Sequence, residues 1–167
     1  MNRIIENYSS NRNILLLFIL VVLFNMGFTL AFAGVEGTLL DLKLWYSASE
    51  ARELISSYGP EGRTAYIKGT LALDYFYPIV YALLLAFILY RLSAWLILTK
   101  LPFAILLFDY LENTAILILL YRYPREGEYL ASAAGWFTLL KWVFVALSAI
   151  LILIFLFKKI ARLIAKQ

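Results

Sequence analysis

In the run Leu106-Leu107-Phe108-Asp109-Tyr110-Leu111-Glu112-Asn113-Thr114, two carboxyls and a carboxamide stand where apolar side chains dominate. Asp109, Glu112 and Asn113 are spaced i, i+3, i+4, so a helix puts them on one face. The surrounding residues are apolar enough to cross a bilayer. An ionisable group at that depth points to a functional site or a buried polar network. Two neighbouring carboxyls can share a proton, bind a cation, or divide the roles of acid and base.

Other segments carry polar side chains at matching spacing. Arg63, Tyr66, Thr70, Asp74, Tyr77 and Tyr81 advance in steps of three or four and fall on one helical face. Asn25 and Thr29 are i, i+4 on an earlier apolar run, and Thr138 and Lys141 are i, i+3 on the last one. Measured by helix rise from one end of each run, Asp74 and Lys141 come out ~6–9 Å deep, Glu112 and Asn25 ~12 Å, and Asp109 ~16 Å. Groups at similar depth can meet, and Glu112 is the expected ionised partner of Lys141. Three carboxyls facing one lysine, with Arg63 in reach, are under-compensated, so at least one should keep its proton. Asp74, Asp109, Glu112 and Lys141 are the candidates for catalysis. The wider set expected to bind a ligand adds Arg63, Tyr66, Tyr77, Tyr81 and Asn113.

The composition limits what this set can do. The chain has 167 residues, 63% of them hydrophobic, well above the ~45–50% of soluble domains. Without cysteine it has no disulfide or thiolate chemistry, and without histidine it lacks the usual near-neutral base and the commonest metal and haem ligand. Acid–base work falls to Asp, Glu, Lys, Tyr or water. Oxygen ligands for Mg²⁺ or Ca²⁺ exist in Asp74, Asp109, Glu112 and Asn113, but with no D-x-D pattern neither a metal nor a cofactor is expected. The formal charge of +4 is spread over segment ends and not along a stripe, which argues against nucleic acid.

Positioning these groups requires an all-α, polytopic membrane protein: a four-transmembrane-helix bundle in one domain, with spans at about 14–34, 68–91, 95–120 and 132–157. Ala31-Phe32-Ala33 has the form of a signal-peptidase site, but the apolar run before it exceeds the usual ~7–15 residues, which favours a retained span. Between spans one and two, Ser47-x-x-Glu50 is a capping box that should start a short interfacial helix over 48–57. Gly59 supplies its left-handed end and Pro60 its stop, while Trp45, Tyr46 and Tyr58 suit a membrane boundary. The next helix should run from about Glu61 to Arg91 and bend at Pro78, and the third should kink at Pro102. Lys158, Lys159, Arg162 and Lys166 form a basic tail over 158–167. That cluster and Arg12 favour cytoplasmic termini, although seven basic residues on that side face six on the other.

Three motifs, Tyr58-Gly59-x-x-Gly62-Arg63-x-x-Tyr66, Asp74-x-x-x-Pro78-x-x-Tyr81 and Asp109-Tyr110-x-Glu112-Asn113, together resemble a group of small four-span integral membrane proteins. The resemblance covers about residues 41–121 and implies that architecture, with no activity attached. The functional expectation therefore rests on the polar faces: a pocket in the outer half of the bilayer for a small amphipathic or lipid-like ligand. The alternatives are a lipid-modifying enzyme using a carboxylate pair, a proton-linked carrier, and a membrane scaffold held by a structural network. The bilayer itself is the expected partner.

Overall fold

The computed structural model describes residues 2–125 and 127–165; Lys166, counted above in the basic tail, lies outside them. The described residues are helical with no strand, and four helices among them are long and apolar enough to cross a membrane. In order the α-helices are α1 (Asn2–Tyr8), α2 (Asn11–Ala31), α3 (Ala48–Ser57), α4 (Gly59–Gly69), α5 (Tyr77–Ser93), α6 (Leu101–Arg122) and α7 (Glu128–Ile164). A π-helical turn, Thr70–Asp74, joins α4 to α5 within one element spanning Gly59–Ser93.

Helix ends follow local chemistry. Ser47 caps α3 through Glu50 N–H, and the Glu50 carboxylate accepts from Ser47 N–H in return. That bond, with Lys43 Nζ at 3.1 Å, holds the Glu50 carboxyl below its ordinary range. Gly59 takes φ +63°, as its place after α3 requires, and Pro60 sits in the first turn of α4. Pro102 starts a helix instead of kinking one: a 3-10 turn, Leu98–Lys100, leads into α6, whose first turn holds the proline. The expected third segment thus loses its first residues to a turn after Ala94, which ends α5 at φ 58°. α7 is continuous through Lys158, Lys159 and Arg162, so the basic tail extends the last apolar helix.

α6 and α7 pack along each other, and α5 lies against both. α2 packs on α5 and α4 at the edge of the bundle, and none of its residues is buried. The segment between α2 and α3 folds into the bundle. Leu40 and Tyr46 are fully buried, and Tyr58, at the end of α3, nearly so. Tyr46 and Tyr58 are therefore core residues and not boundary aromatics; burial pushes both phenols far above the ordinary tyrosine range. Tyr46 reaches its place because α7 carries Gly135 there: a Cβ at 135 would lie 2.1 Å from the Tyr46 carbonyl oxygen.

Candidate functional site

The site begins at the break between α4 and α5. Pro78 has no N–H to offer the Asp74 carbonyl four residues back, and Ile79 N–H turns to Phe76 instead of Tyr75. Both freed carbonyls are met from α6. Asn113 Nδ2 donates to Asp74 O at 3.2 Å, and Tyr110 OH donates to Tyr75 O at 2.8 Å. The Asp109-Tyr110-x-Glu112-Asn113 sequence thus supplies donors to the broken helix, since residues three apart on α6 face the same neighbour.

The same α6 turn holds the carboxylates. Asp109 Oδ1 accepts from Asn113 Nδ2 at 3.0 Å, and Asp109 Oδ2 accepts from Tyr81 OH on α5. Glu112, fully buried, pairs with Lys141 Nζ of α7 at 2.6 Å and accepts from Thr138 Oγ1 at 2.7 Å. The Lys141 partnership expected from depth is therefore present. The Lys141 ammonium also donates to the Asp41 carbonyl at 3.2 Å, and Trp142 Nε1 donates to the Lys43 carbonyl at 2.8 Å. Two consecutive α7 side chains thereby fasten the segment that precedes α3. Tyr66 OH adds a 2.6 Å bond to Asp41 Oδ1, and Tyr58 OH a 2.7 Å bond to Thr38 O.

These groups border a cavity of about 930 Å³, within the ~300–1,000 Å³ common for small-molecule sites. Val21, Asn25, Phe28 and Thr29 of α2, with Phe32 at its C-terminal cap, line it, as do Lys141, Trp142 and Val145 of α7. Asp74, Tyr77, Tyr81, Leu84 and Leu85 form the back with Asp109. The Val35–Leu42 stretch, including Thr38 and Asp41, covers one end. Asn25 Nδ2 donates to Tyr77 OH at 3.1 Å, tying α2 to α5.

Five of the nine side chains expected to bind a ligand line this space: Asp74, Tyr77, Tyr81, Asp109 and Lys141. Glu112 and Asn113 stand behind it, orienting Lys141, Asp109 and the Asp74 backbone. Tyr66 holds Asp41, away from the cavity wall. Arg63 is directed elsewhere: it donates to the Ile55 carbonyl at 3.2 Å and stacks over the Tyr123 ring at 4.0 Å. The π-helical turn explains this division. It holds one residue more per turn than the α-helix, so the face drawn from Arg63 to Tyr81 at α-helical spacing rotates at Thr70–Asp74. Arg63 and Tyr66 stay on the earlier face, and Asp74, Tyr77 and Tyr81 share the later one.

Asp41 and Trp142 were missed by spacing arguments. Asp41 lies outside the long apolar runs, and its one signal is Leu39-Leu40-Asp41-Leu42, too apolar for a solvated loop. Among the described residues no group of His, Cys, Asp or Glu is arranged to hold a metal ion. Comparison with protein-family models, with curated proteins and with solved structures finds no match for this chain.

Proposed function

We propose that the chain is a multi-pass membrane protein whose cavity binds a small amphipathic, lipid-like molecule. The observation carrying this reading is the cavity's mixed lining. Asp74, Asp109, Lys141 and the Asp41 segment bring charged and polar groups to it, and Phe28, Phe32, Leu84, Leu85, Trp142 and Val145 offer apolar wall. A molecule with a polar head and an apolar body matches both. Part of the lining comes from α2, none of whose residues is buried, and in this reading the approach is lateral, past α2. A lipid-like ligand would enter from the bilayer.

Membrane insertion is supported by the outward faces. Leu15, Phe18, Leu23, Met26 and Leu30 of α2 are all more than half exposed, and Ile150, Leu153 and Phe157 continue such a surface on α7. Apolar surface that continuous is unusual on a soluble monomer. In this arrangement both termini are cytoplasmic, α3 lies at the outer interface, and the cavity sits in the outer half of the bilayer.

The test is mass spectrometry of lipids retained through purification by the wild type and by Val145→Trp, which fills the cavity from α7. Depletion of a particular species in the variant, with bulk phospholipid unchanged and thermal unfolding preserved, supports the pocket. Identical profiles from two folded proteins would refute it.

A further inference from the structure

The cavity's charges are unequal, and the donors are already assigned. Asp41, Asp74 and Asp109 line it beside one cation, Lys141, and Lys141 is held by Glu112 at 2.6 Å. Asp109 accepts on both oxygens, from Asn113 and Tyr81, and Asp41 accepts from Tyr66. Asp74 differs. The residue is 6% exposed and lines the cavity, and its buried Oδ2 has no hydrogen-bond donor among the described residues. The α6 donor nearest in the network, Asn113 Nδ2, is used on the Asp74 backbone carbonyl and on Asp109. A buried carboxylate oxygen without a donor is costly, and a positively charged donor would satisfy it most strongly.

The wall beside it suits a cation too. Phe28, Tyr77 and Tyr81 form a chain of ring contacts, with centroids 5.2 and 5.1 Å apart, and all three border the cavity, as does Trp142. Aromatic faces attract alkylammonium groups while accepting the adjoining carbon chain. Tyr77 OH accepts from Asn25 and has its own proton left to donate to a neighbouring oxygen.

Resting on the pocket reading above, we propose that the ligand's head is a protonated amine, seated on the Asp74 carboxylate with its alkyl part along the α2 and α5 aromatics. Lys141 does not oppose this, because Glu112 neutralises it from behind the cavity wall. An anionic head would meet three acidic side chains and a lysine already engaged.

Binding of dodecylamine, dodecanol and dodecanoate to the purified protein in uncharged detergent, read by native mass spectrometry, tests the proposal. Dodecylamine should bind wild type about tenfold more tightly than dodecanol, the factor of one charge-assisted hydrogen bond, and dodecanoate least. Asp74→Asn should remove the amine's advantage over dodecanol. Equal binding of amine and alcohol by wild type, tighter dodecanoate, or an amine preference surviving in Asp74→Asn would each overturn the assignment. If Asp74→Asn does not fold, the wild-type series alone decides. Val145→Trp separates the two readings. Loss of dodecanol binding there upholds the pocket whatever the head group, whereas unchanged binding of all three probes would remove the pocket and the amine site together.

Discussion

Lys141 carries more of the arrangement than any other single residue. Its ammonium neutralises Glu112 and holds the Asp41 carbonyl, so it joins α6, α7 and the segment before α3 at one point. Removing one member of a buried ion pair leaves an uncompensated charge. Lys141→Met should therefore lower stability by about 3–5 kcal/mol, measured by thermal or denaturant unfolding in detergent. Adding Glu112→Gln should recover part of that loss, because the stranded charge goes with it. A double variant no more stable than the single one would show that the loop contact to Asp41, and not the ion pair, dominates. The residue pattern made this pair legible in advance, since Glu112 and Lys141 lie at similar depth on neighbouring apolar runs. Asp41 was not legible, because no helical period passes through it and its contacts come from residues 25 and 100 positions away.

At the level of elements, the break between α4 and α5 is repaired by α6, and this sets up a test by coupling. Asn113→Leu leaves the Asp74 carbonyl and Asp109 Oδ1 without their donor and should destabilise by about 2–4 kcal/mol. In a Pro78→Ala background the backbone regains an N–H at 78, so the same substitution should be milder by about 1 kcal/mol in a double-mutant cycle. Strict additivity would mean that Asn113 acts through Asp109 alone. A second element-level test concerns Gly135. Ala there puts a methyl on the Tyr46 carbonyl and should cost about 1–3 kcal/mol, with faster amide exchange over residues 43–47. Unchanged exchange would show that α7 shifts instead of the segment. Sequence reasoning placed the α3 cap and Gly59 because capping chemistry is local. It missed the π-helical turn and the start of α6 at Pro102, both of which depend on what the neighbouring helix supplies or on which side of a turn the proline falls.

For the whole molecule, the absence of cysteine makes the proposed topology directly testable. Single cysteines at Ser10 and Arg162 should react with a membrane-impermeant maleimide only after the cytoplasmic side is opened, and one at Arg125 should react in intact cells. Labelling of all three from the same side would reject the proposed crossing of the bilayer. The four apolar runs were plain from hydropathy, because span length follows from bilayer thickness. The positions of the walls were not, since hydropathy carries no information on helix rotation.

α2 leaves the ribosome before any helix it packs on, for α4 and α5 both follow it in the chain. At a mean hydropathy of 2.6 it is long and apolar enough to cross a membrane without them. Lys141, Trp142 and Val145, which also line the cavity, are made after α2, α4 and α5. The cavity is therefore complete only once α7 has joined the earlier helices, and its α2 lining precedes all the rest in the chain.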